Sequence, residues 1–273
     1  MNDQRTDDFS NWLGASAALI ATRPVLLVVP LVFDLIALLV WNTLSWVLLG
    51  ELKLPAGPGG IRLELIQALP SAEMIMDMGR HVAVGDPPRL VGMFVLATLV
   101  IAVIRAYGMA GFVGWLDRSH LIRGADLSAS TFHRLGRRFF GPMAGYTLLW
   151  AAVGLLKAPV ATTRLASFLF SMTELAAGAA LMFTPYAILC HATYTLDAMV
   201  ASVDFAWRNR RLVAGLVVFG FLATAAGSYV ARSAAALLGV AGFFIAMVLW
   251  TPVGSLLSAV SYAMYLDCEE ESG

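Results

Sequence analysis

Residues Val25–Leu49 have the sequence VLLVVPLVFDLIALLVWNTLSWVLL, and this stretch decides the fold. Only one of its side chains, Asp34, is charged. The hydrocarbon core of a bilayer is about 30 Å thick and an α-helix rises about 1.5 Å per residue, so about 20 apolar residues are enough to cross it. The stretch is therefore predicted to form a membrane-spanning helix.

Five further stretches are long and apolar enough to cross a membrane. The predicted spans cover residues 25–49, 90–115, 139–156, 165–190, 212–230 and 234–257. Of the 273 residues, 59% are hydrophobic and 13% are charged, and the mean hydropathy is +0.78. Soluble domains average about 45–50% apolar and about 25% charged residues. This composition excludes a soluble enzyme and predicts an all-α integral membrane protein, with one membrane domain over residues 1–273.

The distribution of basic residues predicts the orientation, because Lys and Arg are enriched on the cytoplasmic side. With the N-terminus inside, the inner basic residues are Arg5, Arg23, Arg118, Arg123, Arg134, Arg137, Arg138, Arg208, Arg210 and Arg211. The outer ones are Lys53, Arg62, Arg80, Arg89, Lys157, Arg164 and Arg232. We therefore expect both termini in the cytoplasm and an outside loop over residues 51–89.

Two segments of the chain resemble each other. Residues 130–139, STFHRLGRRF, align with residues 203–212, VDFAWRNRRL, so that Arg137 and Arg138 match Arg210 and Arg211. A weaker third copy precedes the first span, with Arg23 in the place of Arg138. The sequence therefore predicts three parallel repeats, each an amphipathic segment followed by a helical hairpin.

The amphipathic segments are residues 8–22, 126–138 and 195–210. Helices of this kind can lie in the headgroup plane, where arginine binds lipid phosphates. The arginines expected to contact anionic headgroups are Arg23, Arg137, Arg138, Arg210 and Arg211. The alternative is that these segments are helical turns packed beneath the bundle on its cytoplasmic side.

Several short motifs resemble a known family. They are PYAIL at 185–189, LDAMVAS at 196–202 and RNRR at 208–211, with Pro252 and YAMYLD at 262–267 closer to the C-terminus. Together they resemble the six-span membrane domain of glycerophosphodiester phosphodiesterase type and its uncharacterised stand-alone prokaryotic relatives. At 268–269 this chain has Cys-Glu where Leu-Arg is usual in that family. The family's catalytic barrel is a separate soluble domain, so the resemblance implies a membrane module without that activity. It also implies a prokaryotic inner-membrane location.

Three ionisable residues, Asp34, Arg105 and Glu174, lie about ten residues from the nearer ends of predicted spans. At about 1.5 Å per residue this depth is about 15 Å, near the midplane. Ionisable groups there are costly, and they often mark a functional site. We expect an intramembrane polar cluster built on an Arg105 ion pair, with either carboxylate as the partner. The cluster serves either a solute or proton path or only helix packing.

Other candidate chemistry is weaker. Glu73, Asp77 and His81 have a spacing that can hold a divalent metal on a helix, but a solvated helix face is the expected interpretation. Cys190 and Cys268 suggest neither a disulfide framework nor a metal site, and we expect no metal and no cofactor. The 18 basic and 18 acidic residues give no nucleic-acid-binding stripe. No common catalytic motif occurs in the sequence, and we expect no enzyme activity.

The sequence thus favours a non-enzymatic membrane module that organises lipid or a partner protein at the cytoplasmic interface. The expected partners are anionic membrane phospholipids and a membrane or cytoplasmic protein. The alternative is a small-solute or lipid transporter that uses Asp34, Arg105 and Glu174.

Overall fold

The computed structural model describes residues 2–50, 68–72, 87–121, 127–160, 163–191 and 193–270. These residues form helices without any strand. The helices are α1 (Asn2–Thr22), α2 (Val25–Leu49), α3 (Pro88–Leu121), α4 (Ala129–Val160), α5 (Arg164–Leu181), α6 (Thr184–His191), α7 (Thr195–Arg208), α8 (Arg210–Leu238) and α9 (Val240–Glu270).

Within these described ranges, six helical stretches are long and apolar enough to cross a membrane, as predicted. They are Val25–Leu49, Pro88–Asp117, Ala129–Lys157, Leu165–His191, Arg210–Leu238 and Val240–Glu269. The described part of the chain is therefore all-α, with the composition and helix lengths of a multi-pass membrane protein. We call the end of the bundle with Arg23, Arg137, Arg138, Arg210 and Arg211 the arginine end.

The fourth stretch consists of two helices, because the helix breaks at Met182 and Phe183 between α5 and α6. Pro185 follows directly, and proline has no N–H to donate to the preceding turn. Ser202 of α7 bridges the break: its hydroxyl donates to the carbonyl of Ala180 over 2.8 Å and accepts from the Phe183 N–H at 3.2 Å. The backbone groups freed by the break are thus paired inside the protein, as an apolar environment requires.

The three amphipathic segments adopt two different arrangements. Residues 8–22 lie in α1 and residues 195–208 form α7, and each of these helices is separate from the span that follows it. In contrast, residues 129–138 continue without a break into α4, which extends to Val160. Of the predicted amphipathic segment 126–138, residues 129–138 are thus the first turns of α4, and they pack along the end of α3.

Glycines allow this close packing of α3 and α4. A Cβ atom added to Gly111 would lie 2.4 Å from the Phe132 ring, and one added to Gly114 would lie 2.9 Å from Leu135. From the other side, the Tyr107 ring fits against Gly136. Small residues let membrane helices approach closely. Here they let α3 and α4 pack together at the start of α4, before its apolar stretch begins.

Candidate functional site

Asp34 lies about halfway along α2 and is 3% exposed. It is 11 residues after Arg23, a distance of about 16 Å along a helix, and it is 16 residues before Gly50, about 24 Å. Arg105 of α3 lies beside it, with Nη2 at 3.6 Å from Asp34 Oδ1. Of the two pairings that the sequence left open for Arg105, the described residues thus contain the one with Asp34.

The segment Ala68–Ala72 reaches this pair from the connection between α2 and α3. The Ser71 hydroxyl donates to Asp34 Oδ1 over 2.7 Å, and the Ala72 N–H donates to Asp34 Oδ2 over 2.7 Å. Arg105 Nη2 donates to Ser71 Oγ over 2.5 Å. Ser71 thus links the carboxylate to the guanidinium.

The α9 helix closes the other side of this cluster. The Trp250 indole N–H donates to the Ser71 carbonyl over 3.0 Å. All five residues from Ala68 to Ala72 are buried. Residues 68–72 of the predicted outside loop therefore lie inside the bundle, at the depth of Asp34. The rest of that loop up to residue 86 falls outside the described residues.

Glu174 does not join this cluster. Its carboxylate binds Lys157 Nζ at 2.8 Å, and both side chains are partly exposed. Lys157 is 20 residues from Arg137 along α4, a distance of about 30 Å, so the pair lies near the end of the bundle opposite the arginines. The sequence placed Glu174 in the cluster by counting residues from the start of the fourth span, whereas its carboxylate is paired with Lys157.

The chemistry of the cluster follows from its pairing. An irregular backbone inside an apolar bundle needs partners for its polar groups, and Asp34 and Trp250 supply two of them. A buried carboxylate needs a cation and hydrogen-bond donors, and Arg105, Ser71 and Ala72 supply these. Among the described residues the charges of Asp34 and Arg105 balance each other, and the groups that the cluster holds from residues 68–72 are polar and uncharged.

At the arginine end, α7 presents three different faces. Its buried face, which packs against the bundle, contains Ala198, Ser202 and Phe205. Its charged edge contains Asp197, Asp204 and Arg208, which are all exposed. Its third face is an exposed apolar stripe, Leu196, Val200, Val203 and Trp207, with exposed fractions of 74%, 70%, 46% and 73%. At 3.6 residues per turn the stripe lies roughly opposite the buried face, with the charged edge between them.

Four arginines of the arginine end, on α4 and α8, are exposed. No described carboxylate forms an ion pair with Arg137, Arg138, Arg210 or Arg211. Arg138 lies over the Phe139 ring at 5.1 Å, and Arg210 lies over Trp207 at 5.9 Å. Two other arginines at this end have partners within the chain. Arg208 forms an ion pair with Asp204 at 2.6 Å. Arg23 is half-buried in the turn between α1 and α2 and interacts within the chain.

A second polar group at the arginine end ties α9 to its neighbours. The Tyr262 hydroxyl donates to Asp117 of α3 over 2.5 Å, and His191 of α6 bonds the Tyr265 hydroxyl at 3.1 Å. The Trp12 indole N–H of α1 donates to Asp267. The two tyrosines and Asp267 belong to the YAMYLD motif. The sequence shows the motif, whereas the partners of its residues are visible only in the structure.

The candidate metal ligands belong to the connection between α2 and α3, most of which lies outside the part of the chain that the structure describes. Glu73, Asp77 and His81 fall outside it, and the described residues contain no group of three metal-binding side chains. His133 is hydrogen-bonded to the Tyr107 hydroxyl at 2.6 Å. This histidine, like His191, therefore has a tyrosine partner.

The chain matches no family model, no curated protein and no solved structure. Its function must therefore be inferred from its own residues.

Proposed function

We propose that this protein is a non-enzymatic membrane module that binds and organises anionic phospholipid through its arginine end, which we assign to the cytoplasmic side of a prokaryotic inner membrane. One observation carries the proposal: the exposed apolar stripe of α7 ends at Trp207, directly before the exposed arginines Arg210 and Arg211.

The three faces of α7 suit a helix that lies in the membrane plane. Such a helix needs one face against the bundle, one in the acyl chains and one in water. In α7 the buried face would pack against the bundle, the apolar stripe would lie in the acyl chains and the charged edge would face water. Tyr194, 81% exposed, and Trp207 are at the two ends of the stripe, and aromatic residues of this kind favour the membrane interface.

The spacing of basic residues supports a headgroup position for the arginines. Arg137 and Lys157 are 20 residues apart on α4, and Arg211 and Arg232 are 21 residues apart on α8. These separations correspond to about 30 Å and about 32 Å, the thickness of a hydrocarbon core. Each helix thus has cations at the two levels where phosphates lie, and the arginine end has the larger group.

Thermal unfolding in detergent tests the proposal. A ligand that binds only the folded state raises Tm. We expect phosphatidylglycerol to raise Tm more than phosphatidylcholine does. The combined variant R137Q/R138Q/R210Q/R211Q should lose this difference, whereas R89Q/R232Q, at exposed arginines of the opposite end, should keep it. Equal responses of the wild type to both lipids would contradict the proposal.

Solute passage is a second candidate function, favoured by the buried Asp34–Arg105 pair halfway through the bundle. Charged groups at this depth are costly and commonly mark a path. Glu174 is not part of this candidate, because Lys157 pairs with it elsewhere.

A further inference from the structure

Residues 68–72 fill a crevice between α2, α3 and α9. The segment contacts Asp34 of α2 and Arg105 of α3 on one side. On the other side, Gly254 of α9 leaves room for Pro70, since an added Cβ there would lie 2.6 Å from the proline Cβ. Without the segment, these three helices would have a polar cleft where the chain now lies.

Hydrogen bonds hold the last two residues of the segment, Ser71 and Ala72, in the crevice. The crevice offers a carboxylate that accepts two hydrogen bonds, a guanidinium that donates to an oxygen, and an indole N–H that donates to a carbonyl. The segment supplies matching groups: a hydroxyl, a backbone N–H and a carbonyl. A solute with hydroxyl or amide groups would offer the same donors and acceptors, so exchange would keep each buried polar group paired.

We infer that this crevice is a solute site and that residues 68–72 are an exchangeable plug within it, which opens toward the end opposite the arginines. The solutes that fit are small and uncharged and carry hydroxyl or amide groups, because these are the groups that the site binds in the plug. The inference rests on the second candidate function, solute passage, and is independent of lipid binding.

Cysteine labelling tests the plug. In a background with Cys190→Ser and Cys268→Ser, Ala72→Cys places one thiol in the segment and keeps the backbone N–H that donates to Asp34. A membrane-impermeant trimethylammonium methanethiosulfonate, added to the side opposite the arginine end, should modify it. Adding Ser71→Ala should raise the labelling rate about tenfold or more, because it removes hydrogen bonds to two charged groups.

The matched control is Ala231→Cys in α8, which is 3% exposed, against 1% for Ala72. This cysteine should stay unlabelled. If Ala72→Cys reacts no faster than Ala231→Cys, with or without Ser71→Ala, the plug is overturned. Folding is judged by size-exclusion elution. If Ser71→Ala does not fold, the labelling rate of Ala72→Cys compared with that of Ala231→Cys is sufficient to test the plug.

Glycerol permeation in proteoliposomes, followed by light scattering, separates the plug from the function on which it rests. We expect permeation above that of protein-free vesicles, and faster permeation with Ser71→Ala. Labelling of Ala72→Cys without any glycerol permeation would support the plug and overturn solute passage.

Discussion

Asp34 and Arg105 form an ion pair inside the bundle, where each charge stabilises the other. Removing one residue takes away the ionic partner of the other inside the bundle, a loss that costs about 3–5 kcal/mol for buried pairs. We expect Asp34→Ala and Arg105→Ala each to lower Tm strongly in detergent. The double variant D34L/R105M should be more stable than either single variant, since no charge then stays buried.

The Lys157–Glu174 pair provides the comparison for this experiment, because both of its side chains are partly exposed. Exposed pairs contribute about 0–1 kcal/mol. Lys157→Met should therefore lower Tm much less than Arg105→Ala. Equal losses for the two variants would show that Arg105 is not held in a buried pair.

At the scale of single elements, Gly111 controls the contact between α3 and α4. Gly111→Ala should lower Tm, because the added methyl group would lie 2.4 Å from the Phe132 ring. Gly154→Ala on α4 is the matched control, because its Cβ would meet nothing within 4 Å. In a helix, glycine is about 0.5–1 kcal/mol less favourable than alanine, so the control should be neutral or slightly stabilising. A stable Gly111→Ala protein would argue against the close contact.

For α7, a scan with spin-labelled cysteines tests the assignment of its faces. Labels at Leu196, Val200 and Val203 should be accessible to oxygen, which concentrates in the acyl chains. Labels at Asp197 and Asp204 should instead be accessible to a water-soluble nickel complex. The two accessibilities should alternate with the 3.6-residue period of a helix. Preference for the nickel complex at all five positions would place the apolar stripe in water and remove its role in lipid binding.

At the scale of the whole molecule, the sequence was sufficient to predict the six apolar helices, because length and hydropathy are local properties. It was not sufficient to predict which carboxylate pairs with Arg105, since residue counts place Asp34 and Glu174 at similar depths. Only the tertiary contact between Glu174 and Lys157 distinguishes the two carboxylates. Ser71 was missed for the same reason. A short serine-containing segment shows no local sign that it lies beside a carboxylate 37 residues away.

The arginines illustrate the same limit. Their clustering is visible in the sequence, but the difference between the exposed Arg210 and the engaged Arg23 depends on how α1 and α7 join the helices that follow them. Likewise, the alignment of residues 130–139 with 203–212 did not predict that one copy continues into α4 while the other ends at a separate helix. Tertiary contact with α3 makes that difference.

The most direct measurement of the central claim is native mass spectrometry of the protein purified with its lipids, with the bound lipids identified. Retained anionic phospholipid on the wild type and on R89Q/R232Q, but not on R137Q/R138Q/R210Q/R211Q, is the result that lipid binding at the arginine end predicts. The same retained lipids on all three proteins, or no anionic lipid on any of them, would contradict it.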